Sequence, residues 1–215
     1  MGSHLSSIGF AVHDMESLVR LAAVTVERGE RVEPGHIRWA VGGGAEVWAA
    51  LDRTGRACGL QPLVAGAPRV DVVVADVLAS GPCEATIRAE AGDGEALVVD
   101  VVAPRLLGGV ALPARAQLEV ALFAQEPGGD EVAVQAAEWR VNEVTGRRFA
   151  WARVRATGSA AARQLDLIAH PALLPELPDA GSSLRLRGEL CGRLHDVAEL
   201  PAPRRRLGRR RRRHL

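Results

Sequence analysis

Beyond residue 69 the sequence contains no convincing helix pattern, only short apolar runs separated by turn residues. Such runs, bounded by Gly, Pro and Asp, are typical of antiparallel strands. In the last run Leu184, Leu186 and Leu190 alternate with charged residues, as in a strand buried on one face. We predict strands over Val70–Val77, Ala85–Glu90, Ala96–Val102, Gln117–Gln125, Glu131–Val141, Arg147–Ala156, Gln164–Ala169 and Ser183–Leu194, with a turn at Glu126–Asp130. Their spacing predicts a mainly antiparallel β domain, barrel or sandwich-like.

The first part of the chain has a different pattern, with one amphipathic helix between strands. Ser6–Val12 is predicted as a strand, and Asp14 is placed to cap a helix. The helix has an apolar stripe, and Gly29 is placed to end it in the left-handed conformation. The stripe comprises Met15, Leu18, Val19, Ala22 and Val26, and three strands follow at Ile37–Val41, Glu46–Leu51 and Ala57–Val64. We therefore predict an α+β fold, with a βαβββ unit over residues 1–66, a mainly β domain over 67–200 and a disordered Arg-rich tail over 201–215.

Charge is segregated along the chain. All 27 basic residues are Arg; eight lie between Arg204 and Arg213, which leaves 19 against 26 acidic residues in the rest. An acidic body excludes a uniformly basic nucleic-acid-binding domain. An apolar content of 47% excludes a chain that is disordered throughout.

The tail could bind a polyanion through phosphate neutralisation. The candidate residues are Arg204, Arg205, Arg206, Arg209, Arg210, Arg211, Arg212 and Arg213. Two alternatives stay open. The absence of Lys and Tyr indicates a GC-rich coding sequence, and GC-rich codons produce Arg runs without selection for binding. Alternatively, the tail could contact the acidic body of the protein. Nucleic-acid association is therefore expected only through this tail.

The N-terminus lacks a basic stretch followed by a long apolar run, and no run of 18 apolar residues occurs. We therefore expect no signal peptide, no membrane association and a soluble, cytoplasmic protein. Cys58, Cys83 and Cys191 are far apart in sequence, which favours free thiols.

Two tryptophans on adjacent predicted strands suggest a ligand site. Trp39 and Trp48 would line a concave sheet face, with Arg38 and Glu46 at its edge. A mostly apolar cleft with a few polar groups is how small-ligand sites are usually built. The alternative is that both tryptophans are core residues. The motif Gly-x-Ser-x-Gly does not occur, and Gly42–Gly44 lacks the Gly-Lys-Ser/Thr ending of a phosphate loop. We predict no catalytic residue.

Three segments near the N-terminus carry a family resemblance. Leu5–Val12, Asp14–Ser17 with its helix, and Gly44–Trp48 together resemble the βαβββ unit of the glyoxalase/vicinal-oxygen-chelate fold. A longer pattern is similar to an uncharacterised bacterial family; it comprises Leu5–Phe10, Arg38-Trp39, Gly43–Trp48, Gly59–Pro62, Leu122–Glu126, Phe149–Val154 and Ser183–Leu194. The second resemblance implies a fold and no activity.

The first resemblance implies a metal in the enzymes of that fold. Those enzymes usually place a His where Ser7 stands here, and Glu46 would align with their carboxylate ligand. One carboxylate alone cannot hold a divalent metal, so we expect no metal and no cofactor. We predict a non-catalytic small-ligand-binding or accessory protein. The alternatives are a vicinal-oxygen-chelate-like lyase, isomerase or dioxygenase, and nucleic-acid association through the tail. A homodimer stays open.

Overall fold

The structure is a computed structural model that describes residues 3–81, 84–92, 94–102, 107, 109–156 and 163–200. It is rich in strands, which form two sheets. The predicted tail over 201–215 lies outside the described residues. Neither helix in the described part has the length and apolarity needed to cross a membrane.

The first predicted strand is wrong. The described residues begin with a short helix, α1 (Ser3–Ser7), and no strand lies between it and the second helix. Leu5 and Ile8 are both buried, and Gly9, at φ +88°, turns the chain after the helix so that Phe10 is buried as well. Apolar residues at positions 5, 8 and 10 fit a helical turn as well as an alternating strand, so the local pattern could not separate the two.

The second helix, α2 (Met15–Arg28), begins where the sequence predicted. The Ser17 amide donates to the Asp14 carboxylate at 2.8 Å, and the Asp14 amide donates to the Ser17 hydroxyl at 3.2 Å. This reciprocal capping box satisfies amides that have no partner within the helix. The buried side of α2 centres on Leu21 and Thr25. The predicted stripe is wrong at Met15 and Val19, which are 67% and 60% exposed.

Gly29 follows the helix, but not in the predicted left-handed conformation, because its φ is −79°. A Cβ at this position would lie 2.4 Å from Ile37 Cγ2 and 2.7 Å from the Thr25 carbonyl oxygen. Glycine is therefore required here by the close approach of the next strands.

The small sheet is an antiparallel meander in the order β1 (Glu30–Glu33), β2 (His36–Gly42), β3 (Ala45–Leu51), β4 (Ala57–Val64). The last three strands confirm the predicted ones. The first was missed because its sequence, Glu-Arg-Val-Glu, has little apolar character. Helix α2 contacts β2, β3 and β4 and covers one face of the sheet.

Seven strands form the larger sheet: β5 (Arg69–Ser80), β6 (Glu84–Ala91), β7 (Ala96–Val102), β8 (Ala114–Val141), β9 (Arg148–Ala156), β10 (Gln164–Ala169) and β11 (Ser183–Glu199). Pairing runs β5-β6-β7-β11-β8, and β8 pairs again with β5, so these five strands close a ring. Only β7 and β11 pair in parallel within it. Strands β9 and β10 extend from the second half of β8 and return to its first half.

The predicted turn at Glu126–Asp130 is also wrong, because β8 runs through it as one strand of 28 residues. Strand β11 pairs with both halves of β8: Arg187 lies opposite Glu126, Leu186 opposite Pro127 and Arg185 opposite Glu131. The extra residues of β8 form a bulge that contains Gly128 and Gly129, both at positive φ. The Pro-Gly-Gly sequence favours a hairpin turn locally. Pairing with the long strand β11 on both sides keeps β8 extended instead, with a bulge in place of the turn.

Alternating residues of β8 and β11 build two cores. Leu118 and Leu194 face the interior of the ring, whereas Ala121, Phe123 and Cys191 belong to a second core. That second core also contains Trp48 from the small sheet and Leu5 from α1. The predicted boundary between residues 66 and 67 falls in the turn between the sheets, yet the second core joins both sides of it.

The prediction of free thiols is wrong for Cys58, which is disulfide-bonded. Cys191 is buried and is not disulfide-bonded. Cys83 lies outside the described residues.

Candidate functional site

The four predicted ligand-binding residues lie on two faces of the small sheet. Arg38 pairs with Trp48 across β2 and β3, and Ala40 pairs with Glu46, so Arg38, Glu46 and Trp48 share one face. Trp39 pairs with Val47 and therefore lies on the opposite face. The predicted face containing both tryptophans does not form.

The first face carries a connected polar cluster. The Trp48 indole Nε1 donates to Glu46 Oε2 at 2.9 Å, and Arg38 Nη1 lies 3.6 Å from Glu46 Oε1. Arg38 also donates to Glu30, and this hydrogen bond raises the pKa of its guanidinium. Glu46 and Trp48 are both buried. Their polar atoms are thus satisfied by each other and by Arg38.

The ring covers this face with a second polar cluster centred on Glu119 of β8. Its carboxylate accepts from Arg193 at 2.8 Å and from the Gly66 amide at 3.0 Å, and lies 2.8 Å from His195 Nε2. Burial alone would raise the pKa of Glu119, but the hydrogen bond and charge of Arg193, with those of His195, outweigh burial and lower it. Buried charges of this kind need such partners.

The two clusters meet with little space between them. The Arg193 guanidinium lies 5.5 Å from the centre of the Trp48 ring, which is a cation–π contact. Glu46, Glu119, Cys191 and Arg193 line a cavity of about 10 Å³. That is the volume of roughly one water molecule, so no metabolite fits here. We call this region the seam.

The seam does not suit the metal that the vicinal-oxygen-chelate resemblance implies. Both oxygens of Glu46 are taken by Trp48 and Arg38. Ser7 lies in α1, where its hydroxyl donates to the Ala124 carbonyl at 3.4 Å. No group of three His, Cys, Asp or Glu side chains with metal-binding geometry occurs among the described residues.

A different opening lies on the other face, beside Trp39. It is a cleft of about 260 Å³ between α2, the segment before it and the turn after β8, and we call it the helix cleft. Its lining is Phe10, Ala11, Val12, Ser17, Arg20, Leu21, Val24, Trp39 and Val144. The Phe10 and Trp39 rings lie 6.1 Å apart at a tilt of 43°. Most of the surface is apolar, and Arg20 supplies the cation.

Sequence reasoning identified Trp39 but missed its partners in the helix cleft. Phe10 was assigned to a strand, and the apolar side of α2 was placed toward Met15 and Val19. If Leu5 and Ile8 had been interpreted as helical, the strand over Ser6–Val12 would not have been predicted. The local sequence does not favour that interpretation over a strand. The pairing of Phe10 with Trp39 depends on how α2 packs on the sheet.

Elsewhere on the larger sheet, charged side chains pair with one another or with polar groups. Asp100 accepts from the Thr86 hydroxyl at 2.7 Å on neighbouring strands. Three arginines form ion pairs: Arg153 with Asp166, Arg185 with Glu131 and Arg187 with Glu126. The tail candidates, Arg204–Arg213, lie outside the described residues.

Comparison with protein-family models, curated proteins and solved structures gave no match, so the interpretation of these sites depends on their geometry alone.

Proposed function

We propose that the protein is a non-catalytic binding protein that takes a small, mainly apolar molecule in the helix cleft. The observation that carries this proposal is an open, mainly apolar cleft whose inner wall includes the largely buried rings of Trp39 and Phe10, which are 8% and 7% exposed. Ligand sites are usually mostly apolar with a few polar groups, and span about 300–1,000 Å³. A cleft of about 260 Å³ is slightly below that range and suits a small ligand.

The rim suggests the charge of the ligand. Arg20 lies at the cleft and forms an exposed ion pair with Glu16 at 2.7 Å. An exposed pair of this kind is weak, so the guanidinium can take another anion at little cost. A small aromatic or branched carboxylate would place its apolar part against Trp39 and its charge at Arg20.

The two tryptophans of the small sheet provide a matched test. Trp39 lines the helix cleft, whereas Trp48 lies in the seam and is 4% exposed. Benzoate, phenylacetate and their neutral amides would be titrated against the wild type, Trp39→Phe and Trp48→Phe while tryptophan emission is recorded. We expect a saturable change that persists in Trp48→Phe and is lost in Trp39→Phe.

The Arg20→Gln variant separates charge from apolar contact. It should weaken binding of the carboxylates and leave binding of the amides unchanged. If no compound shifts the emission or the melting temperature, or if Trp39→Phe responds like the wild type, the helix cleft is not the ligand site.

Nucleic-acid binding by the folded body is less well supported. The order β8-β5-β6-β7 is a Greek key, and the closed five-stranded ring is an architecture shared with OB-fold barrels, which bind oligonucleotides or oligosaccharides on their second and third strands. The corresponding strands here, β6 and β7, contain no aromatic residue. Without aromatic side chains these strands offer no surface for base stacking.

The glyoxalase-like interpretation stays a prediction. Four strands, β1–β4, follow helix α2 instead of three, and the opening strand of a βαβββ unit is replaced by α1. The metalloenzyme alternative further needs metal-binding donor atoms that Glu46 and Ser7 do not offer.

The disulfide at Cys58 favours an oxidising compartment over the predicted cytoplasm, because cytosolic thiols are kept reduced.

A further inference from the structure

A larger groove lies on the outside of the ring, away from the helix cleft. It has a volume of about 650 Å³ and is formed by β5, β6, β8 and β11. Its polar residues are Asp71, Glu90, Arg115, Gln117 and Asp196; the rest of its wall is Val, Ala and Gly. We call it the barrel groove.

The barrel groove carries more negative than positive charge. Among the described residues of its lining, three carboxylates, Asp71, Glu90 and Asp196, accompany one cation, Arg115. Gln117 donates to Asp71 at 3.3 Å, which is a neutral contact and leaves the charge of Asp71 uncompensated. Such a groove favours a cationic occupant.

The end of the described chain lies at this groove. Ala198 pairs with Arg115 and Glu199 with Ala114, and Asp196 sits in the bulge of β11 just before them. From residue 200, four residues lead to Arg204, a span of at most about 14 Å. The most basic segment of the protein therefore starts within reach of an acidic groove.

We propose that the barrel groove binds the protein's own basic segment, Arg204–Arg213. Charge complementarity and the short connection both favour this occupant over a separate molecule. Because the tail is tethered next to the groove, its effective concentration there is high. Ion pairs that are individually weak and salt-sensitive can then form. The groove then competes with any polyanion for the tail, and it does so independently of ligand binding in the helix cleft.

The first experiment measures the accessibility of the groove carboxylates in the full chain. Carbodiimide labelling of Asp71, Glu90 and Asp196 is followed by mass spectrometry in the wild type and in a variant with all eight tail arginines changed to Gln. We expect labelling to be at least about twofold faster in the variant. A tail that occupies the groove half of the time shields the carboxylates for that fraction and so halves their labelling rate. Glu27 and Glu176, exposed and remote in sequence, serve as internal controls.

The second experiment uses the tail as reporter. A labelled single-stranded oligonucleotide is titrated at low ionic strength against the full chain and against Asp71→Asn/Glu90→Gln/Asp196→Asn. The control, Glu16→Gln/Glu27→Gln/Glu176→Gln, changes net charge equally. Release of the tail should tighten binding by about twofold or more in the groove variant relative to the control. High salt should remove the difference. Equal binding by the two variants, or equal labelling in the first experiment, would overturn the proposal.

Discussion

At the scale of single residues, Glu119 is the centre of the seam between the two sheets. It is buried and holds Arg193, His195 and the Gly66 amide at once. A buried carboxylate is costly unless its partners remain in place. The same residue that looks like an unremarkable strand position in the sequence therefore fixes the ring to the small sheet.

We expect Glu119→Gln to lower the free energy of unfolding by about 2 kcal/mol at pH 7, because Arg193 loses its charged partner. The folded-state pKa of Glu119 lies below its unfolded value. Its contribution is therefore complete above the ordinary carboxyl range and is lost as the pH falls through the folded pKa. The difference between wild type and variant should shrink below about pH 4.

Urea denaturation at a series of pH values measures this effect. The exposed pair of Glu126 with Arg187 gives the control, and Glu126→Gln should cost less than about 1 kcal/mol. A pH-independent difference between wild type and Glu119→Gln would contradict the role assigned to this carboxylate.

At the scale of elements, the close packing of Gly29 against strand β2 determines how helix α2 joins the small sheet. The capping box at Asp14 begins the helix by local chemistry that the sequence shows directly. The end of the helix is different: Gly29 has an ordinary φ, and a Cβ would collide with Ile37 and with backbone oxygens. Gly29 does follow the last helical residue, but the predicted left-handed conformation was wrong, and the need for glycine became visible only in the packed structure.

Gly29→Ala should therefore destabilise the protein by about 1–3 kcal/mol through overpacking. Gly92→Ala is the matched control, because a Cβ there meets nothing within 4 Å. Thermal and urea unfolding of both variants measures the difference. If Gly29→Ala were as stable as Gly92→Ala, the close approach of Ile37 would not constrain the junction.

At the scale of the whole molecule, the second core makes the two sheets depend on each other. Phe123, from β8, is fully buried among residues of the small sheet, α1 and the outer face of the ring. Buried area shared in this way favours cooperative unfolding. We expect residues 1–66 and 67–200 to unfold together, although each contains its own sheet.

Phe123→Ala should lower the free energy of unfolding by about 3–5 kcal/mol. In a Trp139→Phe/Trp151→Phe background, circular dichroism and tryptophan emission should report one coincident transition with and without Phe123→Ala. In that background the emission comes from Trp39 and Trp48 in the small sheet, whereas most strand residues lie in the larger sheet. Two separate transitions would show that the sheets are independent domains.

The sequence by itself determined the elements with strong local patterns. Periodicity and turn residues gave helix α2, its Asp14 cap and strands such as β4 and β7, because those signals come from neighbouring residues. The same signals could not predict α1, because apolar residues at positions 5, 8 and 10 fit either a helical turn or a strand. Nor could they show that β8 continues through Pro127 and Gly128, because its partner β11 lies far along the chain. Only the tertiary structure decided that the face of Arg38, Glu46 and Trp48 is sealed and that Trp39 meets Phe10 at an open cleft. A strand's alternation tells which side chains share a face, whereas what covers that face depends on contacts between distant segments.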